Sequence, residues 1–221
     1  GIPTNNETVL HSLRVYAFVD GQPAGHFYTK DGLDVNNPSF LMHLTMYSTM
    51  TQKVDFYVVA NEAAMETPGS SVLLTENTTE TQLNHFTFTK LNTSKGLPMF
   101  CKQTETIDLT QLSDKTPADP GHAGHTLLRQ DLTFELKRPI GKLGVFAAKP
   151  VGENSSLRVT GLTVLASGTR TRNYLMPQTD ETLKAITGIT GDISLEVVEE
   201  EVTKTLAENA SQTDKENPAN Y

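Results

Sequence analysis

The 221-residue chain predicts an all-β fold, a β-sandwich of about seven strands. Three observations carry that prediction. Short runs alternate apolar and polar residues with the period of two that a half-buried strand requires. Clusters of Gly, Pro, Asn and Asp break the chain about every 8–12 residues. No long stretch of helical period separates the strands, which favours a sandwich over an α/β fold.

The first strand is expected over Val9–Val19. Leu13, Val15, Ala17 and Val19 take one face, and Tyr16 and Phe18 make the other face apolar too, so the strand should be central. Asp20-Gly21 opens a turn with Pro23 and Gly25 inside it, and His26–Thr29 returns as the hairpin partner. Phe40, Met42, Leu44 and Met46 alternate against Leu41, His43 and Thr45, predicting a third strand with one mainly buried face. Lys53–Ala60 carries the strongest strand pattern, with Val54, Phe56, Val58 and Ala60 on one side and Tyr57 and Val59 on the other.

Asn61–Asn92 is the least regular region and accommodates one or two short helical turns. Met99-Phe100 and Glu105–Leu109 read as two short strands. In His125–Ala148, Leu132, Phe134 and Leu136 hold the apolar parity up to Arg138-Pro139. Leu143, Val145 and Ala147 hold it afterwards. A one-residue slip of this kind turns side chains to the opposite face unless a bulge absorbs it, so a strand bent near Pro139–Gly141 is expected. Leu157–Ala166 adds another strand, slipping at Gly161, and Asn173–Met176 a short final pairing. The expected division is a sandwich domain over 1–177 and, over 178–221, a linker with a partial second domain or tail. That last segment is acidic and has too few large apolar residues to close a core.

Composition narrows the function classes. The formal charge of −8, without a Lys/Arg cluster, argues against a nucleic-acid partner. Cys101 is the single cysteine, so neither an intrachain disulfide nor a cysteine-based zinc site can form, and it reads as a small buried hydrophobe. His122-x-x-His125, with Asp119 and Asp131 nearby, is the one metal-like grouping, but it sits in the Pro/Gly-rich loop Ser113–Gly124 and reads as solvated. Glu199–Glu201 is a charge run, and Lys137, Arg138 and Lys142 read as surface ion-pair partners. Sequons at Asn6, Asn77, Asn92, Asn154 and Asn209 follow from composition or mark a secreted glycoprotein. No nucleotide, hydrolase or metalloprotease motif occurs, so no catalytic residue, cofactor or metal is assigned. No apolar run is long enough to span a membrane as a helix. The start at Gly1 suggests a processed terminus or a tag remnant.

Four stretches, in order, resemble the fimbrillin (type V pilin) family of Bacteroidales: Leu13–Gly21 (LRVYAFVDG), Val54–Met65 (VDFYVVANEAAM), Gly96–Leu109 (GLPMFCKQTETIDL) and Leu136–Lys149 (LKRPIGKLGVFAAK). Leu157–Pro177 is similar to that family's closing strands. The resemblance implies a transthyretin-like Greek-key sandwich as the amino-terminal domain of a fimbrial subunit. It also implies a lipoprotein precursor trimmed by an arginine-specific protease, outer-membrane and cell-surface localisation, and polymerisation with other subunits by strand exchange. The chain departs from the pattern in starting almost at the Leu13 strand and in lacking a full second domain, which leaves stalk, tip and anchor positions open.

Strand exchange needs an open sheet edge and an apolar groove. Leu13, Val15 and Ala17, with Val159, Leu162 and Val164, are the candidates to line it. The alternative reading is a surface lipoprotein sandwich that binds a carbohydrate or host protein through loops Asp31–Pro38 and Ser113–Gly124. A membrane enters either reading only through a lipid anchor on the precursor.

Overall fold

Leu13–Val19 (β1) has two apolar faces, and a strand of that kind is stable only inside a sheet that is covered on both sides. All seven of its residues are buried in the computed structural model, which describes residues 9–30, 33, 39–46, 50–67, 73–111, 130–141 and 172–185. Gln22–Thr29 (β2) and Thr51–Ala60 (β3) pair with β1 on its two sides, both antiparallel, and Met99–Asp108 (β7) pairs with β3. The resulting sheet runs β2-β1-β3-β7, with β1 central as its pattern predicts and β3 central beside it.

The β1–β2 turn differs from its expected form. It comprises Asp20 and Gly21 alone, with φ of 50° and 76°, the double positive φ of a two-residue hairpin turn. Pro23 and Gly25 belong to β2 itself. The register shifts between Ala17 and Phe18, so Phe18 faces Pro23 while Ala17 faces Gly25. A proline without a ladder donor is tolerated there because β2 is an edge strand.

β7 is also corrected. The two short strands expected at 99–100 and 105–109 are one continuous strand. Its polar middle, Lys102–Thr104, pairs with Asp55–Tyr57 of β3 as regularly as its apolar ends do, because backbone pairing does not read side-chain polarity.

The irregular region folds into small pieces. A 3-10 turn at Glu62–Ala64 follows β3, then Met65–Glu66 (β4), helix Glu80–Asn84 (α1), Thr87–Phe88 (β5), Lys90–Leu91 (β6) and a 3-10 turn at Thr93–Lys95. β4 pairs with β6, and β5 with Asn173–Tyr174 (β8), which bears out the expected final pairing. The start of α1 is fixed by a capping box: Thr79 accepts from the Gln82 N–H, and the Gln82 side chain accepts from the Thr79 N–H. A second short helix, α2, spans Asp180–Ala185.

The fold is therefore all-β among the described residues, with antiparallel sheets and few short helices. Both faces of the main sheet carry a core. One contains Leu13, Val15, Ala17, Val54, Phe56, Val58 and Ala60; the other contains Tyr16, Phe18, Tyr57, Val59, Leu83 and Leu175. Each large side chain removed from water here contributes about 1.5–3 kcal/mol.

Contacts group the chain into two units. Asn5–Pro139 with Arg172–Asp180 holds all the strands named above, and the other comprises Gly1–Thr4, Ile140–Thr171 and Glu181–Tyr221. Among the expected features, Asp31–Pro38 except Leu33, Ser113–Gly124, His125, residues 142–148, the Leu157–Ala166 strand and 186–221 lie outside the described residues.

Candidate functional site

The face built on Leu13, Val15 and Ala17 is the one on which two extended segments lie. In the first, Phe40, Met42, Leu44 and Met46 are half-buried against the core, while Leu41, His43 and Thr45 are exposed. In the second, Leu132, Phe134 and Leu136 are half-buried and their neighbours exposed. Both show the alternation that the sequence predicts. Among the described residues, however, neither forms a strand with a ladder of its own.

Each segment is tied to a different edge of the sheet. The Thr45 N–H donates to the Ala24 carbonyl of β2 at 2.7 Å, and the rings of Phe27 and Phe40 stack at 4.7 Å between centroids. A methyl group on Gly25 would lie 2.8 Å from Leu44 Cδ2 and 2.9 Å from the His43 carbonyl oxygen, so only glycine permits this approach. On the opposite side, Phe134 packs on Phe56 at 5.4 Å, and Gln103 Nε2 donates to the Thr133 carbonyl at 3.3 Å. Phe100 and Lys137 exchange both backbone hydrogen bonds, at 2.7 and 2.8 Å.

That exchange shows which backbone groups of β7 turn outward. In an antiparallel strand the direction alternates, so Lys102, Thr104 and Thr106 present their N–H and C=O groups on the same outer side as Phe100. Among the described residues no strand pairs with them there. The chain's own segment at 130–137 runs beside that side, where Phe100 and Lys137 exchange their backbone hydrogen bonds and Gln103 reaches the Thr133 carbonyl.

The predicted groove residues divide cleanly. Leu13, Val15 and Ala17 come together, with relative exposures of 4%, 0% and 0%. They lie on a strand paired along both sides, so they form the floor of this face and not its rim. Val159, Leu162 and Val164 lie outside the described residues.

No protein-family model matches the chain, and no curated protein matches it. Among solved structures it is similar to a fimbrial assembly protein from Parabacteroides distasonis. That likeness has 17% sequence identity and a TM-score of 0.44, over 86% of this chain and 67% of that one. No residue role passes from that protein to this one.

A second cluster, on the other face, escaped the sequence. Arg14 donates from Nε and Nη2 to the two carboxylate oxygens of Glu62 at 2.6 and 2.7 Å. Its Nη1 lies 2.9 Å from His26 Nε2, and its guanidinium stacks 4.0 Å above the centre of the Tyr28 ring. Burial, then the Arg14 charge, hold His26 below the usual histidine range. The signal was the lone charge inside LRVYAFV, because an arginine in a strand buried on both faces requires a partner.

Nucleophilic chemistry finds no support at Cys101. The residue is buried, and burial pushes its thiol above the ordinary value, the opposite of an activated thiolate. Among the described residues no group of three or more His, Cys, Asp and Glu side chains is placed to hold a metal ion.

Proposed function

We propose that the protein is a structural, non-catalytic subunit of a bacterial cell-surface fimbria that assembles by β-strand exchange and contributes to adhesion. In this reading residues 1–177 form a transthyretin-like Greek-key sandwich, and 178–221 form a linker with a partial second domain or tail. The subunit reaches the outer surface as a processed lipoprotein, and its partners are other fimbrial subunits together with a host protein or glycan.

The observation that carries the reading is the pair of apolar, alternating segments at 39–46 and 130–139, flanking the Leu13–Ala17 face without a ladder among the described residues. Half-buried Met42, Leu44, Leu132 and Phe134 gain further burial when alternate side chains of an added strand pack between them. The added strand also supplies backbone partners to segments that have no ladder among the described residues. The ordered run of four family-like stretches supports the same conclusion.

The test is to express the precursor in its natural bacterium, treat it with an arginine-specific protease, and look for denaturant-resistant ladders on gels. Polymers are expected from the native sequence, and Met42→Lys or Phe134→Lys should stop them while a thermal melt still shows a folded monomer. A cleaved, folded protein that stays monomeric would overturn the reading.

A further inference from the structure

Away from the assembly face, four segments meet at one end of the main sheet: the approach to β1, the end of β2, the turn after β3 and the 3-10 turn Thr93–Lys95. They enclose a cleft of about 230 Å³ lined by His11, Ser12, Tyr28, Lys30, Ser94 and Lys95 among others. We propose that this cleft binds an acidic sugar, a uronic or sialic acid unit of a glycan.

Charge points to an anion. Lys30 and Lys95 are both exposed and both line the cleft, and among the described residues no carboxylate lines it, in a protein whose formal charge is −8. Two ammonium groups on one wall make a local positive field on an otherwise acidic molecule.

The remaining lining favours a sugar over a bare anion. Tyr28 is 41% exposed, and Arg14 occupies one face of its ring. A ring that is apolar on its face and polar at its hydroxyl suits the CH-rich face of a pyranose. Ser94 adds an exposed hydroxyl that donates to Asn92 Oδ1 at 2.6 Å and keeps its acceptor side open, and His11 an exposed imidazole. Ser12 is 5% exposed, and among the described residues its hydroxyl has no hydrogen-bond partner. A buried hydroxyl of this kind is uncommon and calls for an explanation. Ser12 belongs to the lining of the cleft, where a ligand oxygen is a partner of the right kind.

The wall is built to hold its shape. Asn61, 1% exposed and at φ 55°, donates through Nδ2 to the carbonyls of Val9 and Leu97, both at 2.9 Å, and accepts the His11 N–H at 2.7 Å. Its own N–H reaches the Ser12 carbonyl at 3.0 Å. One side chain thus fixes the start of β1 against the turn that carries Lys95. A fixed wall lowers the ordering cost of binding.

This inference does not depend on assembly, and the test uses the monomer. Titration calorimetry with glucuronic acid and N-acetylneuraminic acid should give saturable binding at least tenfold tighter than with N-acetylglucosamine, glucose or acetate. Lys30→Ala and Lys95→Ala should each weaken it about tenfold, as should high salt. Tyr28→Ala should weaken acidic sugars without creating affinity for acetate. Absence of saturable binding by either acid overturns the proposal. So does equal affinity for acetate or for the neutral sugars, or indifference to both lysine substitutions in variants whose thermal melts match the native protein.

Discussion

Arg14 and Glu62 stand 48 residues apart in sequence and meet in two parallel hydrogen bonds, Nε to Oε2 at 2.6 Å and Nη2 to Oε1 at 2.7 Å. The side chains are 8% and 17% exposed, so the pair is largely removed from water. It joins the central strand β1 to the turn after β3. Burial opposes the Arg14 charge, and the hydrogen bond and charge of Glu62 outweigh that penalty and raise its pKa.

Removing one partner should therefore cost more than breaking a surface pair. Glu62→Gln leaves a buried guanidinium without its counter-charge, and a loss of about 3 kcal/mol is expected in chemical denaturation. The double substitution Arg14→Met with Glu62→Leu should recover most of it. A loss of about 0.5 kcal/mol for Glu62→Gln would place the pair with exposed ones and sink this account.

His26 gives the fold an acid-side weakness. Burial and the facing Arg14 lower its folded pKa, while Glu76 and Glu62 oppose the shift. The unfolded chain then takes up the proton first, so stability is held above about pH 6.5 and falls as pH drops below it. Denaturation midpoints between pH 7.5 and 5 should decline in the native protein and flatten in His26→Gln. Identical slopes in the two proteins would remove His26 from the explanation.

Two glycines are held by close approach. At Gly96, φ is +83° and a methyl group would lie 2.6 Å from Asn61 Nδ2, so Gly96→Ala strains the backbone and pushes on the residue that binds three strand-end groups. A loss of about 1–3 kcal/mol is expected. Gly25→Ala meets the His43 carbonyl at 2.9 Å instead, and should displace the 40–46 segment. Faster amide exchange at Thr45, with little change in β1 and β3, is the expected sign; uniform protection throughout would contradict it.

Tyr57 is tied to α1. Its hydroxyl donates to Glu80 Oε1 at 2.8 Å and accepts from Asn84 Nδ2 at 3.0 Å. Burial, and then the bond to Glu80, push the phenol well above the usual tyrosine range. In a spectrophotometric alkaline titration, Tyr57→Phe should leave the amplitude ionising near pH 10 unchanged, because Tyr57 does not contribute there. Thr79→Ala should cost about 1 kcal/mol by removing the cap of α1. An unchanged melt in that variant would show that the helix is held by Leu83 packing alone.

What the residues determined by themselves is parity and position. Alternation in LRVYAFV and KVDFYVVA assigned the apolar side chains of β1 and β3 to their faces, and two apolar faces predicted a central β1. The same parity holds for Phe40–Met46 and Leu132–Leu136. Asp20-Gly21 marked its turn for an equally local reason, a need for positive φ.

Tertiary structure decided everything that depends on a partner distant in sequence. Backbone pairing is indifferent to side-chain identity, so β7 runs unbroken through a polar middle, and Phe40–Met46 alternates without acquiring a ladder among the described residues. The lone charge of Arg14 in an apolar strand was the overlooked local sign, and only the folded chain brings Glu62 and His26 to it. Side-chain pattern is written within a few residues, whereas edges, clefts and ion pairs arise where remote segments meet.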